Sequence, residues 1–308
     1  MRSIGTTNLT VSPICLGTNV FGWTADRDTA FAVLDAYVAG GGTFIDTADV
    51  YPAWATGEST SEIIIGEWMA SRGNRDEVVL ATKVGMLTDY TGLAPSTIRA
   101  AVENSLRRLQ TDHIDLYWAH VDDRTIPLVE SLATFDELVK EGKVRHVGAS
   151  NYGAERLAEA LRVSAEEGLT PYVALQQEYN LVERDYEGSL RDVVATAGLS
   201  SVPYFGLARG FLTGKYAPGV SVDSPRAGKA AEYLDVPRGP RVLEALAKVA
   251  AEHGVEQATV ALAWLAAQPT VTAPIASARN VEQLRPLLAA AELVLSQDDL
   301  TLLDNASR

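Results

Sequence analysis

The chain has one cysteine, Cys15, in 308 residues. No internal disulfide can form, and such usage fits a reducing cytoplasm. Cys15 lies in the apolar run PICLG, where a small core residue is expected. Positive charge is in deficit: 26 Lys and Arg stand against 40 Asp and Glu, for a formal net charge of -14. That balance argues against nucleic acid or an anionic membrane as the main partner. It leaves room for a local basic pocket. Long apolar runs are missing too. The most apolar stretch near the C-terminus, ATVALAWLAA at 258–267, is about half the length of a membrane span and reads as a buried helix. The opening residues MRSIGTTNLTVS lack the apolar stretch of a signal peptide, so a cytoplasmic location is expected. No internal repeat or low-complexity linker interrupts the chain, and no metal site is expected. The glycine-rich GxGxxG turn of a dinucleotide-binding doubly wound sheet is also lacking; GTNVFG stands after the first strand-like run.

What is present is alternation. Strand-like runs over 13–17, 43–46, 78–83, 114–119, 143–149, 172–176, 201–204 and 271–276 are short and apolar. Without clean polar alternation, they fit strands buried on both faces of a parallel sheet. Helix-like stretches lie between them over 28–39, 59–71, 95–109, 127–141, 153–166, 186–197, 240–252 and 280–291. Pro95, followed by Ser96 and Thr97, marks one helix start, and Asn151 precedes another. Strict alternation predicts an α/β chain forming a single closed (β/α)8 barrel over residues 1–308, with a doubly wound sheet as the alternative. One irregular segment, 205–239, follows the seventh strand and is long enough to suggest function; RAGKAAEY within it reads as a short helix.

Three of the early strand-like runs end in a titratable group: TFID at Asp46, VVLATK at Lys83 and IDLYWAH at His120. Tyr51 follows Asp46 by five residues. In a parallel barrel the carboxyl ends of the strands meet on one face. The four side chains are therefore expected to converge. A lysine ammonium beside a phenol favours the phenolate and lowers its pKa. Asp46 would hold Lys83 charged, and His120 would share the proton or orient a carbonyl oxygen. Such a group suits protonation of the alkoxide that develops when a carbonyl accepts a hydride, which a cofactor must supply. Each residue also has a plain structural explanation, as a cap, a solvated strand end, a satisfied core histidine or a packing aromatic; their joint placement at strand ends is what favours a site. Trp23, Trp54, Tyr90 and Trp118 are candidates for an aromatic substrate wall. Trp118 fits the core equally well, two residues before His120 on the same strand face.

The stretches GGTFIDTADVY, VVLATKVG, HIDLYWAH, KVRHVGASNY, LQQEYNLVER and GFLTGKY resemble the aldo-keto reductase superfamily in order and in detail. The resemblance runs from PICLGTNVFG to PIASARNVEQL. It implies a (β/α)8 barrel binding NADP(H), with NAD(H) as the alternative, without a Rossmann domain, and a tyrosine general acid at Tyr51 supported by Asp46, Lys83 and His120. It further implies that Ser150, Asn151 and Gln176 hold the nicotinamide carboxamide and that Tyr204 stacks on the ring. Leu207, Arg209 and Gly210 would follow the pyrophosphate, with Lys215 nearby. Ser277, Arg279 and Gln283 would face the adenosine end, Arg279 pairing with a 2′-phosphate. Two departures stand out. Pro52 follows the tyrosine where relatives often have glycine, and Pro286 and Leu287 replace a Glu-Asn pair that contacts adenine in relatives. The implied activity is reduction of a small-molecule aldehyde or ketone. A regulatory subunit of the same fold with slow or no turnover, and a barrel that uses the four residues for isomerisation or elimination while recycling its cofactor, are the alternatives. Substrate identity and oligomeric state are not legible in the sequence.

Overall fold

The computed structural model describes residues 1–217 and 219–308. Ten strands occur among the described residues. A two-stranded antiparallel hairpin, β1 (Arg2–Ser3) with β2 (Thr10–Val11), precedes an all-parallel sheet. The parallel strands are β3 (Cys15–Gly17), β4 (Phe44–Asp46), β5 (Val79–Val84), β6 (Ile114–Ala119), β7 (Val144–Ser150), β8 (Tyr172–Gln176), β9 (Ser200–Ser201) and β10 (Ile275–Ala276). They pair in chain order from β3 to β9, with β10 beside β3. The ring closes between β9 and the approach to β10: Ser201 N donates to Thr270 O, Thr272 N to Ser201 O, and Ile275 N to Pro203 O. On the other side Cys15 N donates to Pro274 O. The result is the (β/α)8 barrel. Its last two strands are shorter than 201–204 and 271–276 because Pro203 and Pro274 have no N–H to give the ladder.

The barrel interior is filled by Cys15, Phe44, Ala81, Leu116, Trp118, Ala174, Val202, Ala273 and Ile275. Ile4, Leu9 and Val11 of the N-terminal hairpin join this cluster and cap the amino end of the barrel. Two-residue strands carry no readable periodicity, which is why the hairpin is not apparent from sequence. Outside the strands, apolar helix faces complete two further clusters that hold the helices to the sheet. Helix Pro95–Leu109 starts at its proline, as the sequence suggests. Helix Ala154–Glu167 is preceded by Gly153, so Asn151 is not its cap. Gln257–Ala266 is buried nearly all round, in keeping with its apolar composition. A final helix, Gln297–Ser307, lies beyond the alternating pattern; Ser296 and Asp299 cap it reciprocally. No helix among the described residues is long and apolar enough to cross a membrane.

Candidate active site

At the carboxyl ends of the strands lies a cavity of about 940 Å³. This is near the top of the roughly 300–1,000 Å³ range of small-molecule sites. Asp46, the last residue of β4, lies at its floor and is buried. Lys83, on β5, is wholly buried beside it. Its Nζ donates to Asp46 Oδ2 at 2.5 Å and to Thr47 O at 2.5 Å. The second Asp46 oxygen accepts from Gln176 Nε2, on β8, at 3.0 Å. Lys83 Nζ also lies 4.6 Å from the centre of the Tyr51 ring, and that ring meets His120 edge to face at 6.0 Å. Strands that are separate in sequence thus bring Asp46, Tyr51, Lys83 and His120 together, as their positions at strand ends predict. The Tyr51–Pro52 bond is cis.

Burial dominates the electrostatics. It pushes the Lys83 ammonium down, but the Asp46 carboxylate and Tyr51 outweigh it, and the net shift is upward. The Asp46 carboxyl is pushed up by burial against the pull of Lys83. Tyr51 differs from expectation: burial raises its phenol more than Lys83 lowers it, partly because Asp46 cancels the ammonium's field. His120 is held well below its usual range by burial and by the Lys83 charge. It is neutral at neutral pH.

Around this group the nicotinamide candidates are tied to one another. Asn151 sits at φ 62, a left-handed conformation that asparagine tolerates better than most residues. Its Nδ2 donates to His120 O at 2.9 Å and to Ser150 Oγ at 3.1 Å, and its Oδ1 accepts from the Tyr204 hydroxyl at 2.8 Å. Ser150, Asn151, Gln176 and Tyr204 all line the cavity.

Beyond Tyr204 the chain turns through a run of positive φ at Phe205, Ala208, Arg209 and Gly210. Three of these are not glycine, and each such residue costs about 1–2 kcal/mol. Within the turn Ala208 N donates to Phe205 O and Gly210 N to Leu207 O, so these N–H groups brace the loop itself. Leu207, Arg209, Gly210, Lys215, Ser277, Arg279 and Gln283 line the same cavity. The Arg209 side chain is already engaged, donating to Glu178 at 2.9 Å and to the Tyr233 hydroxyl at 3.0 Å. Lys215 and Arg279, in contrast, form no salt bridge with a described residue. Partial burial and the nearby Arg279 push the Lys215 ammonium down. Pro286 and Leu287 present an apolar wall at this end.

Among the aromatic candidates, Trp23 and Trp54 line the cavity. Trp118 does not. It fills the barrel interior beneath the site, packed where Gly148 leaves room; a Cβ there would lie 2.4 Å from its ring. Tyr90 is turned away on the short helix Thr88–Tyr90 and packs on the layer between strands and helices. Sequence reasoning overlooked Arg226, Phe205, Asn19 and Met86, which all line the cavity. Arg226 lies 5.8 Å from the rings of both Trp23 and Phe205, and no described carboxylate pairs with it. Its one signal in sequence was an arginine inside the irregular segment.

Comparison with known proteins agrees with this architecture. A sequence model of the aldo/keto reductase family matches residues 13–308. An oxidoreductase of Bacillus subtilis (strain 168) without assigned function, YrpG, is 38% identical over 98% of this chain and 94% of its own length. The NADP(+) aryl-alcohol dehydrogenase of Phanerodontia chrysosporium is 32% identical over 96% of this chain and 83% of its own. A norsolorinic acid reductase of Aspergillus flavus is also 32% identical, over 96% and 78%. A closed parallel barrel, a buried Asp–Lys pair beneath a tyrosine, and a family match over nearly the whole chain converge: the protein is an oxidoreductase belonging to the aldo/keto reductase family.

Proposed function

We propose that the protein is an NADP(H)-dependent reductase that converts aldehydes or ketones to alcohols, with Tyr51 as general acid. The observation that carries this reading is the division of the cavity. One end holds the Asp46–Lys83 pair under Tyr51 and His120. The other holds Lys215 and Arg279, and Arg226 lies between the two ends beside Trp23 and Phe205; none of these cations has a described carboxylate partner. Unpaired cations gathered in a partly buried site call for a polyanion, and a phosphorylated dinucleotide meets that need. The NADP(+) in the name of the Phanerodontia chrysosporium relative supports the same cofactor.

In this reading a nicotinamide bound beside Tyr51 would supply the hydride for the carbonyl carbon, and the chain's own residues handle the proton. Tyr51 gives its proton to the carbonyl oxygen as that oxygen gains charge. Its raised phenol keeps the proton in place at neutral pH until the oxygen becomes more basic. Lys83 remains charged between Asp46 and Tyr51 and stabilises the phenolate left behind. Neutral His120 orients the carbonyl oxygen. Ser150, Asn151 and Gln176 would hold the carboxamide, and Tyr204 the face of the ring. Leu207, Gly210 and Arg226 would follow the pyrophosphate; the Arg209 guanidinium instead braces the loop through Glu178. Lys215, Ser277, Arg279 and Gln283 would take the phosphorylated ribose, with the base against Pro286 and Leu287. NADPH oxidation across a panel of aldehydes and ketones, run beside Tyr51→Phe, tests the proposal. Tyrosine-dependent turnover is expected. Cofactor binding with no turnover on any carbonyl would overturn it in favour of a regulatory role.

A further inference from the structure

Trp118 lies outside the cavity lining but beside the charged pair at its floor. On the neighbouring strand it is directly opposite Lys83, and Gly148 is directly opposite Trp118 on the next strand. Neighbouring strands run about 4.8 Å apart, so the indole and the lysine stem are side by side. Both residues are wholly buried. Phe44 and Trp118 are the aromatic residues among the buried side chains of the barrel interior, where Ala81, Ala174 and Ala273 supply little volume. Gly148 gives the indole its room, since a Cβ there would lie 2.4 Å from the six-membered ring. The indole N–H is buried and meets no acceptor at hydrogen-bond geometry. An unmet donor at that depth is costly. Asp46 is the group it acts on: burial pushes that carboxyl up, while Lys83, Gln176 and the Trp118 N–H pull it down.

We propose that Trp118 is a positioning residue for the reaction: its ring seals the Asp46–Lys83 pair from the barrel interior, and its N–H is a further donor to the Asp46 carboxylate. This deepens the reductase reading and rests on it for what the pair does to Tyr51. Lys83 acts on Tyr51 only while its ammonium keeps one place against that ring. Asp46 and Thr47 O fix two of its donors, and Gln176 holds the other Asp46 oxygen. A carboxylate has about four lone-pair sites, so Asp46 has capacity left for the indole. The ring also keeps water from competing for the ammonium and the carboxylate. In that dry setting the Lys83 charge is felt more strongly at Tyr51. A smaller side chain at 118 would leave a void between Gly148 and Lys83, open to the polar pair above.

The test compares kcat, KM and NADPH affinity in the native protein, Trp118→Phe, Trp118→Leu and Gly148→Ala, per folded molecule as judged by unfolding curves. Because Trp118 does not line the cavity, KM and cofactor affinity should hold while kcat falls. Trp118→Phe keeps a ring and loses the N–H; a loss of about three- to tenfold is expected, the scale of one weakened hydrogen bond to a charged group. Trp118→Leu should lose about 10²-fold, as for a reacting group displaced by about 1 Å. Gly148→Ala presses a methyl group on the ring and should also lower kcat. Added to Trp118→Leu, which frees that space, it should cost little more. Unchanged kcat in both Trp118 variants, a loss through KM alone, or an equal Gly148→Ala cost in both backgrounds would overturn the proposal. Proton–nitrogen correlation spectra of the indole groups read the contact without turnover. Of the five tryptophan signals, the one missing in Trp118→Phe should move upfield in Asp46→Asn, which weakens the acceptor. A Trp118 signal that stays in place sinks the proposal. Failure of the reductase reading would show separately, as no turnover on any carbonyl by the native protein, and the spectra would still decide the contact.

Discussion

Asp115 and Asp46 are buried aspartates paired with cations at opposite ends of the barrel. Asp115 lies near the amino end of β6. Its oxygens accept from Arg75 at 2.8 Å, from Leu80 N at 2.8 Å and from Arg145 at 2.6 Å. Asp46 ends β4 at the other face, with Lys83 and Gln176 as partners. Burial and ion pairing are common to both, so neither marks a functional site. What differs is where the cation's remaining surface faces. Arg75 spends its other donors on Thr111, Val78 O and His113 O. Lys83 still faces the Tyr51 ring, and Tyr51 borders a cavity. An ion pair whose charge acts on a third, accessible group can do chemistry; one that is saturated holds the structure together.

The comparison can be broken by substitution and by pH. The largest effect belongs to Tyr51→Phe, which should lower kcat for carbonyl reduction by about 10²–10⁴-fold, the worth of a positioned general acid. Cofactor titration should show binding retained. Full turnover in this variant would remove the carboxyl-end pair from the chemistry. Next comes Lys83→Met, which leaves Asp46 without its ammonium partner. Denaturant unfolding should show a loss of about 3–5 kcal/mol, as for other broken buried pairs, together with loss of turnover. Arg75→Met leaves Asp115 with Arg145 and the Leu80 N–H, so about 1–3 kcal/mol is expected, with turnover per folded molecule kept. Equal loss of activity in the two variants would erase the distinction.

A smaller effect is expected at the cation end. Arg279→Ala should weaken NADPH binding about 10–100-fold, the scale of a charge-assisted hydrogen bond to phosphate. NADH binding should barely change, and a fluorescence titration with both cofactors decides it. The smallest effect is in pH. A raised Tyr51 phenol is protonated, and active as an acid, below its pKa; reduction is lost only as pH rises through it. The alkaline limb should therefore lie above the ordinary tyrosine value of about 10. Neutral His120 adds no limb between about pH 6 and 8 around the usual histidine value. A limb near neutrality in the kcat/KM profile would restore the lowered phenol inferred from sequence.

Much of the architecture was legible because buried strands and amphipathic helices leave patterns in the chain. The runs ending at Asp46, Lys83 and His120 correspond to β4, β5 and the exit from β6. The hairpin β1–β2 was not legible, since its few residues matter only through what Ile4, Leu9 and Val11 fill. Trp118 shows a different limit. Its alternation with His120 was correctly read as one strand face, but that face runs from the packed interior to the cavity, and depth along the barrel decides which a residue meets. Tyr90 followed a strand end and still turned outward, because its loop folds back onto the helix layer. Arg226 lay in a segment with no periodicity to read.

Residue identity and spacing were enough to determine the alternating barrel and the four groups that meet above it. Strand direction and period are local properties, and a parallel barrel has one carboxyl face for them to share. Only the folded structure decided that Lys83 is held by Asp46 and Thr47 while still facing Tyr51, that Tyr51 is raised rather than lowered, and that Lys215, Arg226 and Arg279 gather around one cavity without a described carboxylate partner. Those outcomes depend on desolvation and on distances between residues far apart in sequence, where a few ångströms settle which of two opposing electrostatic effects is larger.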